Sequence, residues 1–416
     1  MMARPLSFDP HHPPIPMKGD GLAVLRLIRS RKVGPATFHR LLAEHGSPDA
    51  ALAALPDMAR AAGLDSYAPC PRSIAEAEIE AGRRAGARLL TWDDPDYPAL
   101  LREIAEAPPV LWVRGDLSVL ERIPVAVIGA RNASSLGLRM ARGMALGLAQ
   151  SGAAVIAGLA RGIDTIAHEA ALSTGTVAVM AGGIDMIYPS ENAALAESIC
   201  ETGLLISEQP PGTEAVARHF PARNRIISGL SRAVVVIEAA QRSGSLITAR
   251  CALDQGREVM AVPGHPMDAR AAGCNLLIRD GAVLVRNSED VLTALQIDAA
   301  ERSPAPVPTP AARPAVVATS ASARAGAGIA RALQPAAVAR RLAELGHKIA
   351  TRPVQGGPVN LEARILSRLG PSPTEENLLI RDLGLPAAAL APVILTLELS
   401  GRIQRLAGGK LVLTGN

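Results

Sequence analysis

The sequence predicts an α/β protein built on a doubly wound parallel sheet, with a small helical module before it and a winged helix behind it. Three observations predict this. From residue 124 onward, short apolar runs alternate with helical segments, as strands buried on both faces and joined by helical crossovers do. Residues 21–65 carry apolar side chains at helical spacing around a glycine break. Residues 357–416 read as three helices followed by a hairpin.

In chain order, residues 1–18 are rich in Pro and His and are expected to be a disordered tail. They have no apolar h-region, so they do not read as a signal peptide. Residues 19–84 form a helical module. Leu22, Leu25, Leu27 and Ile28 make one apolar face, Val33-Gly34-Pro35 breaks the helix, and Phe38, Leu41 and Leu42 make the next. Such a helix–turn–helix can hold a DNA backbone or serve as a plain interaction module. Its pattern is similar to a SAM or helix-hairpin-helix unit.

Residues 85–298 hold the sheet. Strand-like runs at Arg88–Trp92 and Val110–Val113 precede apolar strands at 125–129, 154–158, 176–181, 204–207, 233–238 and 258–262. Residues 299–355 are rich in Ala, Pro, Ser and Arg and read as a linker with a short helix about 335–346. Residues 356–416 form the winged helix. A helix covers Leu361–Leu369. Ser372-Pro373-Thr374-Glu375 has the form of a capping box opening a second helix that stops at Gly384. A third run, interrupted by Pro392, ends near Ser400-Gly401, and Arg402–Leu406 with Leu411–Thr414 reads as the hairpin.

Charge narrows the function. The chain is net +4, yet residues 299–353 alone carry eight basic and two acidic side chains, so the remainder is net −2. Any anion site on the folded part must therefore be a local patch. Aromatic residues are only 2% of the chain, so base stacking would rest on one or two side chains. Cys70, Cys200, Cys251 and Cys274 are scattered, with no C-x-x-C pair and no His at finger spacing. This argues against zinc and against a disulfide framework, and suits a reducing cytoplasm. No apolar run is long enough to span a membrane.

Several loops carry candidate chemistry. The first crossover strand ends in Gly129-Ala130-Arg131-Asn132-Ala133-Ser134-Ser135 before a helix. A strand-to-helix turn exposes amide N–H groups and the positive helix end, and Arg131 adds a bidentate phosphate donor. The loop matches neither a dinucleotide fingerprint nor a Walker A loop, so a structural turn and an anion site both remain open. Asp164 and His168 share a helix face, and read as a helix-start cap and a locally packed imidazole rather than a catalytic pair. The segment Arg218-His219-Phe220-Pro221-Ala222-Arg223-Asn224-Arg225 places three arginines beside one of only three phenylalanines. Arginines that open a helix oppose its dipole unless an anion sits there, and Phe220 could stack on a base. Ser243-Gly244-Ser245 opens a further helix, where either serine can cap it and Gly244 lets a ligand approach the backbone. All these loops follow strands and could converge on one phosphate-binding site.

Taken in order, Gly-Ala-Arg-Asn at 129–132, GLARGID at 158–164, GGID…YP at 182–189, FPARNRIISGLS at 220–231, SGSLITA at 243–249 and VPG at 262–264, with Asn275-Leu276-Leu277-Ile278, closely resemble the DNA-processing protein A (DprA/Smf) family. The resemblance covers about residues 88–290. It implies an extended Rossmann-like fold without oxidoreductase activity, and a cytoplasmic homodimer that binds single-stranded DNA, protects it and loads RecA during natural transformation. It implies no catalysis, cofactor or metal. Arg131 would contact phosphate and Phe220 would stack on a base, while Ser134, Arg218, Arg223, Asn224, Arg225, Ser243, Gly244 and Ser245 would line the same site. Family members often carry a Lys three residues before the Phe; here that place is Ala217, beside Arg218.

Two other readings compete. A nucleotide phosphoribohydrolase of the lysine-decarboxylase-like group would resemble P-G-G-x-G-T-x-x-E, but this chain has Ser243-Gly244-Ser245-Leu246-Ile247-Thr248 and lacks that Glu. A nicotinamide dehydrogenase would need the missing glycine fingerprint. The winged helix has no Lys or Arg from Leu385 to Gly401, whereas a recognition helix needs such donors. It is expected to contact protein, or DNA only through Arg402, Arg405 and Lys410.

Overall fold

The computed structural model describes residues 21–61, 66–297, 358–369, 373–400, 402–406 and 410–414. The tail 1–18, the linker 299–355 with its short helix, and Ser372 lie outside the described residues.

Four helices open the chain: α1 (Leu22–Arg29), α2 (Pro35–His45), α3 (Pro48–Ala61) and α4 (Arg72–Arg84). Leu25, Leu27, Phe38 and Leu41 are fully buried between them. Gly34 precedes α2 in extended conformation and Pro35 takes its first turn, where a missing N–H costs nothing. The module is fixed to the rest of the chain at Trp112. A Cβ on Gly82 of α4 would stand 2.0 Å from that indole, so only glycine allows the close approach. Glu78 accepts the indole N–H at 3.1 Å and pairs with Arg29 at 2.8 Å.

The sheet elements follow as β1 (Arg88–Thr91), α5 (Ala99–Arg102), β2 (Val110–Gly115), β3 (Ile123–Ile128), α6 (Ser135–Gln150), β4 (Ala153–Ala157), α7 (Ile163–Ala171), β5 (Thr176–Val179), α8 (Ala193–Thr202), β6 (Leu204–Ser207), α9 (His219–Gly229), β7 (Ala233–Val236), α10 (Ser245–Asp254), β8 (Glu258–Ala261), α11 (Ala272–Arg279), β9 (Val283–Leu284) and α12 (Ser288–Ala294). Nine strands form one sheet in the order β1-β2-β6-β5-β4-β3-β7-β8-β9. All pairings from β6 to β9 are parallel, and β1 and β2 extend the edge antiparallel on β6. The alternation of side chains along a strand explains the double core. Ala126 and Ile128 of β3 face one layer, Val125 and Val127 the other, and all four are buried. Each such valine or isoleucine contributes about 1.5–3 kcal/mol. The sheet is thus the doubly wound, Rossmann-like architecture that the sequence predicts.

The C-terminal unit consists of α13 (Pro358–Arg368), β10 (Thr374–Glu375), α14 (Glu376–Leu383), α15 (Ala387–Leu399), β11 (Ile403–Leu406) and β12 (Lys410–Leu413). Its three strands pair β10-β12-β11 around a core that includes Ile365, Leu379, Leu390, Ile394 and Leu411. This is a winged helix.

Four local expectations are corrected. Thr374 and Glu375 do not cap a helix but pair with Leu411 and Lys410, which buries Thr374, and α14 starts at Glu376. Helix α15 runs on through Pro392, since the ring removes one intrahelical hydrogen bond without ending the packing of Leu390 and Ile394. Helix α9 starts at His219, which puts Arg223 and Arg225 in its second turn rather than at its opening. Neither Ser243 nor Ser245 caps α10: Gly244 is the N-cap, and the two hydroxyls bond each other at 2.7 Å. Among the described residues, no helix is long and apolar enough to cross a membrane.

Candidate nucleic-acid interface

The winding of the sheet reverses at β3, which has β4 on one side and β7 on the other. In such sheets the loops at the carboxyl ends of the strands diverge there and leave a crevice. The loops after β3, β4 and β5, together with the first two turns of α9, line an open cleft formed by Arg131, Gly158, Ala160, Arg161, Ala181, Tyr188, Pro189, Phe220 and Arg223.

Phe220 is the centre of this cleft. The Arg131 guanidinium carbon stands 5.0 Å from its ring centroid, Arg223 stands at 5.9 Å, and Tyr188 meets it edge-on at 5.8 Å. Arg131 and Tyr188 are exposed and Phe220 is half-buried. Positive charge and flat apolar faces therefore meet at one opening.

Arg223 is the unusual member. It is 6% exposed. Its Nε has no hydrogen-bond partner, and among the described residues the guanidinium forms no ion pair. Burial pulls it down to about 10; Asp164 opposes this and the Arg131 charge adds to it. The side chain lies on the backbone of Gly158, where a Cβ would stand 1.1 Å from Nη1. Only a glycine leaves that space.

The loop beneath is held in an uncommon conformation. Leu159 has φ 59°, in the left-handed region that a bulky side chain rarely adopts. The Asp164 carboxylate fixes both flanks, accepting from Gly158 N at 2.9 Å and Ala160 N at 3.3 Å, and Asn192 donates to Leu159 O at 2.8 Å. Asp164 is thus a brace for the preceding loop rather than a cap for the amides of α7. Burial raises its pKa, while Arg223 and the two amides oppose the rise. His168 is buried against Thr176 at 2.9 Å, and burial together with Arg223 depresses it to about 3, so it is neutral. The local packing expected for it holds.

The other expected residues divide. Arg218 is exposed at the start of α9, and Asn224 is partly exposed on the same helix. Arg225 points away from the cleft. It pairs with Glu208 at 2.6 Å and lines a separate groove against Val33-Gly34-Pro35. Ser134 is the N-cap of α6 and is buried, with its amide and hydroxyl given to Glu238 at 2.9 and 2.5 Å. Ser243, Gly244 and Ser245 follow β7, on the other side of β3 from the cleft, and are not among its walls. Tyr188 and Arg161 were not expected there. Tyr188 lies within the YP stretch quoted from the sequence and is one of only three tyrosines, a scarcity that could have marked it. Among the described residues, no group of three or more His, Cys, Asp or Glu could hold a metal ion.

Comparison with known proteins gives a consistent result. A family described as DNA recombination-mediator protein A matches residues 88–296. A DprA-like N-terminal HHH domain matches 18–81, and a DprA winged helix domain matches 350–409. The chain is 44% identical to the DNA processing protein DprA of Streptococcus pneumoniae over 205 residues, 49% of this chain and 72% of that protein. It is 43% identical to the protein Smf of Escherichia coli over 242 residues, 56% of this chain and 65% of that protein. The crystal structure of the S. pneumoniae protein superposes with a TM-score of 0.57 at 35% identity, covering 67% of this chain and 98% of that one.

Proposed function

This chain belongs to the DNA recombination-mediator protein A (DprA/Smf) family, and on that premise we propose that it binds single-stranded DNA in the cleft around Phe220. One observation carries the reading: Arg223 is a buried guanidinium whose Nε lacks a hydrogen-bond partner and which, among the described residues, forms no ion pair. Asp164 attracts it without a direct ion pair, a buried charge held so loosely is costly, and an incoming phosphate supplies the close partner. Arg131, exposed beside the same Phe220 ring, offers that phosphate a second, bidentate donor.

The aromatic pair selects the strand. A base stacks on Phe220 or Tyr188 only when its own face is free, as it is in single strands. Stacking is indifferent to base identity, so binding follows strandedness rather than sequence. Asp164, the carboxylate beside Arg223, is spent on two backbone amides. It serves the loop, which favours binding over hydrolysis.

The same reading carries the finer expectations. The bound strand is protected and handed to RecA during natural transformation, in the cytoplasm, by a homodimer with no catalysis of its own. Exposed Val283 and Leu284 on the edge strand β9, with Ile247 and Leu253 on α10, support self-association at that edge of the sheet.

The test is fluorescence anisotropy with a labelled oligo-dT over a salt series. It compares the wild type, Arg131→Ala with Phe220→Ala, and a chain ending at residue 297. Binding that survives truncation and collapses in the double variant supports the cleft. Binding that follows the linker and ignores both substitutions overturns it.

A further inference from the structure

The winged helix lacks the features of a DNA reader. Helix α15 carries no Lys or Arg. Arg402 is paired with Glu362 at 3.5 Å, and Arg405 is held by Glu398 at 2.8 Å and by Glu376. One of its arginines, Arg368, reaches instead to the sheet domain.

Among the described residues, the two units meet beside the loop that follows β3. Arg270, which follows β8, donates to Ser367 O at 2.6 Å and to Leu369 O at 2.5 Å. These are carbonyls at the end of α13, where helical acceptors lack partners and the dipole favours a cation. Arg368 reaches back and donates to Ala133 O at 2.6 Å. Helix α14 packs on α6. Behind Ala133, the buried Glu238 holds the Ser134 amide and hydroxyl. Burial pulls the Arg368 pKa down, and the charges of Asp382 and Glu238 oppose the shift.

Two neighbouring peptide units are thereby fixed from opposite sides, Ala133 by the winged helix and Ser134 by the sheet. Arg131 belongs to the same short loop. We propose that the winged helix is an internal clamp on the anion loop, with Arg368 and Arg270 as positioning residues that hold Arg131 over Phe220. The inference rests on the DNA-binding reading above. A loop ordered before binding loses less entropy on binding, so the clamp raises affinity without touching DNA.

The experiment measures oligo-dT affinity in the full chain for Arg368→Ala and Arg270→Ala, each with Arg131 present and with Arg131→Ala. Amide hydrogen exchange at residues 133–135 is followed in parallel. Each clamp variant is expected to bind about fivefold more weakly, with faster exchange at 133–135. In the Arg131→Ala background the clamp variants should change affinity by less than about twofold, because the effect runs through Arg131. A general loss of structure would weaken both backgrounds alike. Arg270→Ala leaves every winged-helix residue in place, so it decides the matter if Arg368→Ala fails to fold. Unchanged or tighter binding, or an equal loss in both backgrounds, overturns the clamp. If the wild type binds no oligonucleotide, the DNA reading itself falls, and unchanged exchange would remove the clamp separately.

Discussion

The guanidinium carbon of Arg131 lies 5.0 Å from the ring centroid of Phe220, although one stands in the loop after β3 and the other in the first turn of α9. A cation over an aromatic face is worth about 0.5–1 kcal/mol at an exposed site. The pair is therefore partly assembled before any ligand arrives. Phe220→Ala should weaken oligo-dT binding about tenfold. Arg131→Ala should lower the slope of log affinity against log salt by about 0.7, one phosphate contact on a single strand. A double-mutant cycle by anisotropy should give a loss smaller than the sum, since each residue orients the other.

Arg223→Met is expected to separate stability from binding. It replaces a buried cation that forms no ion pair among the described residues with an apolar chain of similar length, and the desolvation relieved outweighs the lost attraction to Asp164. The melting temperature should rise by about 2–4 °C, roughly 1 kcal/mol for a domain of this size, while oligo-dT binding falls below detection. A fall in melting temperature would mean that the guanidinium stabilises the free protein.

Arg225→Ala should do the reverse. Its partner Glu208 is 15% exposed and Arg225 is 12% exposed, so removing one member leaves a largely buried charge. A loss of about 2 kcal/mol is expected in denaturant unfolding, reduced from the fully buried case by the residual exposure. Affinity measured well below the melting temperature should change by less than twofold.

His168 makes stability depend on pH. Its folded pKa is depressed from 6.5 to about 3 by burial and by Arg223. The unfolded chain therefore takes up a proton that the native state refuses. Its contribution is fully present above pH 6.5 and is lost as pH falls toward about 3, at up to about 1.4 kcal/mol per pH unit. Asp164 and Glu238, whose pKa values burial raises, act in the opposite sense at the acid end of that window. Thermal melts of wild type and His168→Gln between pH 7 and 5 should converge as pH falls, with the variant the flatter of the two.

The sheet was legible because its strands are buried on both faces, so Val125 to Ile128 read as an unbroken apolar run. The start of α9 was not, because Pro221 looks like a breaker. It falls in the first turn, where its missing N–H has no partner to lose. The arginine cluster was found but not resolved. Arg223 and Arg225 are two residues apart, about 200° around a helix, so neighbours in sequence serve opposite faces. The fates of Ser134 and Ala133 were hidden for a different reason. Their partners Glu238 and Arg368 lie 104 and 235 residues away, and no local pattern records such contacts.

The space above Gly158 has a consequence for how this chain can vary. With a Cβ standing 1.1 Å from Nη1 of Arg223, the two positions are one unit of inheritance. In a library randomised at both, any side chain at 158 should survive only beside a shortened residue at 223, and arginine at 223 only beside glycine. A side chain gained first at 158 meets the guanidinium, whereas a residue shortened first at 223 opens the space, so the pair can be redesigned in that order only.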